Sequence, residues 1–198
     1  GEMRFPVVRN GIDTGAFGIS KSKGRYVLSL GRVCPEKGFH IAMDAAMRAG
    51  IHYALAGLVF RYETHELYFR EEIAPRLGRA CVFLGPVGLE RKRRLLAASR
   101  CVIVPSLVPE TSSLVAMEAL ASGTPVVAMR IGALPEIIED GKTGFLVDSM
   151  EEMTEAIKDS GLISPEACVE AARERFDASR MAEGYIDLYR EILESVKG

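Results

Sequence analysis

Glu110 and Glu118, separated by seven residues, bracket Thr111, Ser112 and Ser113 in the run PSLVPETSSLVAMEALASGTPVVA (105–128). Small hydroxyl residues cap helix N-termini by accepting backbone N–H bonds. A helix starting at that point presents free amides and roughly half a positive charge to an anion. Far upstream, Arg32 and Lys37 flank Pro35-Glu36 and precede Gly38. Arginine grips phosphate oxygens bidentately and lysine acts as a point charge, each such bond contributing about 1.5–3 kcal/mol. Together these residues describe a phosphate site. Glu118, further into the helix, reaches past the phosphates and can accept hydrogen bonds from a ribose diol, as acidic residues do in dinucleotide folds. Glu110 precedes the helix and lies nearer the mouth, where it can meet a sugar.

These residues act together only if a scaffold brings them to one edge. Short apolar runs ending in loops alternate with helical segments: Tyr26 to Leu30, then a helix from FHIAMDAAMRAG; His52 to Ala56, then a helix over Glu63 to Leu77; Ala80 to Leu84, then Leu89 to Ala98. Cys101 to Val104 precedes a helix over Ser113 to Ala121, and Pro125 to Ala128 and Gly144 to Val147 supply a fifth and sixth strand. Continuous apolar strands between helices are the signature of a parallel sheet covered on both faces. The expected fold is therefore α/β: a Rossmann-like three-layer sandwich with a mostly parallel sheet of about six strands. Ligands of such sheets bind where the carboxyl ends of the strands meet the following helices. Helices then follow from Glu151, from Ser164-Pro165 and from about Ser179. In the last one Met181, Tyr185, Leu188, Tyr189, Ile192, Leu193 and Val196 share one apolar face.

At 198 residues the chain is long enough for one α/β domain and too short for two full ones. We expect 1–24 to be a linker segment and 25–198 the domain. A net charge of −2 with interspersed signs disfavours nucleic acid as a partner. Cys34, Cys81, Cys101 and Cys168 form no CxxC pair, and His40, His52 and His65 are not at metal-ligand spacings. No metal is expected. With no apolar run of membrane-spanning length and no signal-peptide pattern, the expected location is cytoplasmic.

Gly141-Lys142-Thr143 resembles the end of a P-loop, but the required leading glycine is Glu136, and no GxGxxG occurs. The basic run Glu90 to Arg94 reads as a solvated helix face. Taken one at a time, Arg32 and Lys37 also read as a solvated loop, Glu118 as an exposed helix residue and Thr111 to Ser113 as ordinary caps. Joint placement at strand ends favours the phosphate site.

GRVCPEKGFH, PSLVPETSSLVAMEALASGTPVVA and GALPEIIEDGKTGFLV resemble the signature blocks of the family-4 retaining glycosyltransferases. The opening VVRNGID resembles the segment that joins their two domains. The resemblance implies the C-terminal, donor-binding half of a GT-B fold, an enzyme of the hexosyltransferase type. By motif position Arg32 and Lys37 hold the diphosphate of a UDP-, GDP- or ADP-sugar, supported by amides near Ser112, Ser113, Leu114 and Val115. Glu118 binds ribose, Glu110 contacts the donor sugar, and Gly85 and Val87 lie beside the base. Glu110, Arg32 and Lys37 are the expected catalytic group, with no essential metal and no cofactor beyond the donor substrate. Ser112 and Ser113 depart from the family, which commonly has a bulky residue and a glycine there.

The resemblance also implies a missing N-terminal domain that carries the acceptor site, through which a peripheral membrane or lipid-linked acceptor is reached. The isolated chain is then expected to bind donor and turn over little. Alternatives left open are a non-catalytic nucleotide-sugar module and another GT-B enzyme, such as a nucleotide-sugar epimerase or glycogen synthase. The Tyr185 and Tyr189 face of the last helix is an expected site of self-association.

Overall fold

The computed structural model of the chain describes residues 6–20 and 22–197, with side chains to 194. Six strands, β1 (Tyr26–Leu30), β2 (His52–Ala56), β3 (Cys81–Phe83), β4 (Val102–Val104), β5 (Val126–Met129) and β6 (Gly144–Val147), form one sheet in the order β3-β2-β1-β4-β5-β6. All five pairings are parallel. Register runs Tyr26 to His52 between β1 and β2, Leu28 to Val102 between β1 and β4, and Val102 to Val126 between β4 and β5.

Because successive strand residues face opposite sides, a strand buried on both sides must be apolar throughout. Val27, Tyr53, Leu55, Ile103 and Val127 enter one core with α1 (Phe39–Arg48) and α6 (Met150–Asp159). Leu28, Ala54, Val102, Val104, Val126 and Ala128 enter the other, with Leu96 of α3 (Leu89–Ala98), most of α4 (Leu114–Ala121), the short α5 (Leu134–Ile137) and α7 (Pro165–Phe176). The three-layer Rossmann-like expectation is met.

The helix expected over Glu63 to Leu77 is interrupted. The α-helix α2 covers only Glu63–Tyr68, followed by a π-helical turn, Phe69–Ile73, and a 3-10 turn, Ala74–Arg76. Pro75 has no N–H and its ring crowds the carbonyl four residues back, so a regular α-helix does not run through it.

The last helix, α8, spans Ala178–Lys197. Its Met181 sulfur accepts from the Gly11 amide at 3.3 Å, while Tyr185, Tyr189, Ile192 and Leu193 are exposed. The side chain of Val196 lies outside the described residues. Of the expected linker, residues 1–5 and 21 are likewise outside them. The rest is tied to the domain: Ile12 forms a parallel bridge with Asp177, donating to the Phe176 carbonyl at 2.8 Å and accepting from Ala178 at 2.9 Å. Among the described residues no helix is long and apolar enough to cross a membrane.

Candidate functional site

β1 and β4 are neighbours, yet the chain leaves them in opposite directions, β1 toward β2 and β4 toward β5. A crevice therefore opens at their carboxyl ends, the topological switch point where ligands of open α/β sheets bind. The loop after β1 carries Arg32 and Lys37, and the loop after β4 carries Glu110 and leads into α4.

Glycine lets the two loops approach. After the 3-10 turn Pro35–Lys37, Gly38 takes φ +62°, and a Cβ there would stand 2.3 Å from the Pro105 carbonyl oxygen. The Leu107 amide donates to the Glu36 carbonyl at 2.8 Å. Gly132, at φ +58°, lies so close to Glu110 that an added Cβ would meet its backbone N at 2.5 Å and O at 2.6 Å. The Glu110 carbonyl accepts from Ala133 at 2.9 Å. The backbone of Glu110 is thus held from the β5 side.

On this frame Lys37 Nζ donates to Glu110 Oε1 at 2.6 Å, the side chains being 28% and 13% exposed. The Ser106 hydroxyl donates to the same oxygen. Ser113 caps α4, its hydroxyl accepting from the Ala116 amide at 3.4 Å. Arg32, Lys37, Glu110, Ser112, Ser113, Leu114 and Val115 all line a single cleft of about 240 Å³. Arg32 and the α4 N-terminus, together with Lys37 paired to Glu110, leave the cleft with a positive bias suited to a polyanion.

Glu118, Gly85 and Val87 do not line that cleft. Glu118 turns toward α3, where Lys92 Nζ donates to its Oε1 at 2.6 Å, the side chains being 26% and 13% exposed. Gly85 takes φ +66° and accepts from the Gly57 amide at 3.0 Å. The turn it opens ends at Gly88, which precedes α3 and accepts the Lys92 amide at 2.9 Å. Lys92 thus stands one turn into α3, four residues after Gly88, with its side chain on Glu118.

Lys92 is a residue that the reading of the basic run as solvated overlooked. Arg93 is also not free in solvent, standing 5.7 Å over the Phe17 ring. The signal was a lysine near the start of α3 facing an acid on α4, and it becomes visible only once the two helices are known to be adjacent. Larger hollows lie beside α6, about 680 Å³, and at the amino ends of the strands, about 620 Å³. Neither lies where strand-to-helix loops converge.

A model of the family described as glycosyl transferases group 1 matches residues 24–160. The D-inositol 3-phosphate glycosyltransferase of Acidothermus cellulolyticus is 31% identical over 96% of this chain and 48% of its own length. That of Streptomyces scabiei is 46% identical over 79 residues, 39% of this chain and 18% of that protein. The chain spans at most about half the length of these curated relatives.

Among solved structures, AviGT4, a glycosyltransferase involved in avilamycin A biosynthesis, superposes with a TM-score of 0.79 at 28% identity, over 96% of this chain and 58% of that one. HepE of Anabaena, solved in complex with UDP-glucose, shares the fold with a TM-score of 0.79 at 24% identity, over 93% of this chain and 57% of that one.

Proposed function

The chain belongs to the group 1 glycosyltransferases, and from that premise we propose that it is the donor-binding domain of a retaining GT-B enzyme. In this reading a nucleoside diphosphate sugar lies across the carboxyl ends of β1 and β4. Its diphosphate enters the 240 Å³ cleft between Arg32, Lys37 and the start of α4. The observation that carries the reading is this convergence: one polyanion-sized cleft receives two cations from one loop and a capped helix N-terminus from another.

The same groups suit the chemistry. As the bond from sugar to diphosphate breaks, negative charge builds on the leaving phosphate. Preorganised cations and helix amides stabilise that charge without reorganising at the moment of reaction. In this reading Glu110, bridged to Lys37 and Ser106, accepts hydrogen bonds from hydroxyls of the donor sugar. Glu118 takes the ribose hydroxyls, exchanging or sharing Lys92, and the Gly85–Val87 turn lies beside the base. Acceptor recognition belongs, in this proposal, to a second domain outside this sequence. The UDP-glucose bound by HepE makes that compound the first donor to try.

Calorimetry of the chain with UDP, GDP, ADP and their sugars tests the proposal. One base is expected to bind as both diphosphate and diphosphate sugar, and to raise the unfolding temperature by mass action. A chain that binds none of them is not a donor domain. Joining the chain to an acceptor-binding domain is expected to produce transfer with retained anomeric configuration, and an inverted product would remove the retaining assignment.

A further inference from the structure

Cys34 and Glu36 lie in the loop after β1, and His65 lies in the first turn of α2. One ligand atom from each falls within 4.8 Å of both others. Cys34 is 0% exposed and His65 8%, whereas Glu36 opens to solvent. His65 Nδ1 is buried with no hydrogen-bond partner. A buried polar atom left in that state costs about 1–3 kcal/mol, and such atoms in native proteins commonly mark a missing ion or water. The Tyr62 ring stands edge-on to the imidazole at 5.1 Å and the Phe60 ring at 6.3 Å, fixing its plane. The histidine is thus held in place with a nitrogen unsatisfied.

We infer that Cys34, Glu36 and His65 bind one zinc ion, which fastens the loop carrying Arg32 and Lys37 to α2. A thiolate, an imidazole and a carboxylate are the donors of a borderline-soft cation, whereas calcium and magnesium take oxygen. Zinc bond lengths of about 2.0–2.3 Å place tetrahedral donors about 3.3–3.6 Å apart, so side-chain rotation closing the trio by roughly 1 Å suffices. The thiolate and the carboxylate together balance the dication, so the bound site is neutral where the unbound loop carries the Glu36 charge beside Arg32 and Lys37. On binding, the thiol proton leaves to solvent as the sulfur–zinc bond forms. Three protein donors leave a fourth position for water.

Burial, and next the Glu36 carboxylate, push the Cys34 thiol above its ordinary pKa. Sequence spacing did not disclose the set, because a Cys-x-Glu pair meets a histidine beyond β2 only through the fold. The inference needs the folded chain alone and does not depend on donor binding.

Cobalt, a spectroscopic stand-in for zinc, provides the test on the purified, reduced full chain. Titration is expected to saturate at one ion per chain with a thiolate-to-cobalt charge-transfer absorption, and added zinc is expected to bleach it. Cys34→Ser is expected to lose that absorption. Glu36→Gln, at an exposed position that leaves folding intact, is expected to weaken binding by more than the roughly 10- to 100-fold that loss of an outer-shell partner alone brings. Zinc is also expected to raise the unfolding temperature of the wild-type chain and leave that of Cys34→Ser unchanged. A folded wild-type chain without the charge-transfer band overturns the inference. So does a Cys34→Ser chain that keeps the band, since the ion would then sit on Cys81, Cys101 or Cys168.

Discussion

Lys92 and Glu118 meet at 2.6 Å across the α3–α4 interface, and both side chains are largely withdrawn from water. The pair orients the carboxylate proposed to bind ribose. It also couples the two helices. Replacing Lys92 by Met and Glu118 by Gln, singly and together, is expected to give an unfolding coupling energy of roughly 0.5–1 kcal/mol, the upper part of the range for solvent-exposed pairs. Urea denaturation of the four chains measures it, and zero coupling would mean that the contact does not form in solution.

The diphosphate and ribose assignments separate by ligand. Arg32→Ala or Lys37→Ala is expected to weaken nucleoside diphosphate binding by about 1.5–3 kcal/mol, roughly 10- to 150-fold, while leaving the plain nucleoside nearly unaffected. Glu118→Ala is expected to weaken nucleoside and nucleoside diphosphate by a similar factor, because the ribose is common to both. Parallel calorimetric titrations with the two ligands distinguish the patterns. Unchanged affinity in Glu118→Ala would remove the ribose role.

Gly38 is needed for two reasons that add. Its φ of +62° disfavours a side chain, and a Cβ would press the Pro105 carbonyl oxygen at 2.3 Å. Because the obstacle is backbone, either the loop after β1 or the loop after β4 must move. Gly38→Ala is expected to lower stability by about 2 kcal/mol or more and to weaken diphosphate binding together with it, since Lys37 is the adjacent residue. Unfolding and UDP titration on the same preparation check both. A destabilised chain with unaltered affinity for diphosphate would show that the loop after β4 yields alone.

The parallel sheet was legible because apolar runs such as YVLSL and CVIV end where the loops begin, a local signal. The ends of β1, β2 and β6 coincide with the runs read from sequence, whereas Cys101 falls just before β4, since the paired segment is shorter than the apolar one. That Arg32, Lys37, Glu110 and Ser113 come together was legible because each lies in a loop or helix cap that follows a strand end. Lys92 was hidden because its role depends on which helices are neighbours, and the Cys34–Glu36–His65 cluster for the same reason. Gly132 was hidden too, since its close approach to Glu110 joins two loops remote in sequence.

Asp177 offers a pH test of how the segment before β1 is fastened. Its carboxylate accepts from the Thr14 hydroxyl and from the Ser179 hydroxyl and amide at 2.7 and 3.0 Å. Those bonds, Thr14 first, lower its pKa from the ordinary 3.8 to about 2. A carboxyl whose pKa is lower folded than unfolded binds more protons when unfolded. Its contribution to stability is therefore full above the unfolded value and is lost as pH falls through the folded one. Asp177→Asn is expected to be less stable than the wild type at neutral pH, with the difference shrinking below about pH 4 and vanishing only once the pH is below the folded value of about 2. Denaturant unfolding across that interval measures the difference. If it persists unchanged at the acid end, what holds Ile12 and Thr14 against the α7–α8 junction is the backbone bridge rather than the ionised carboxylate.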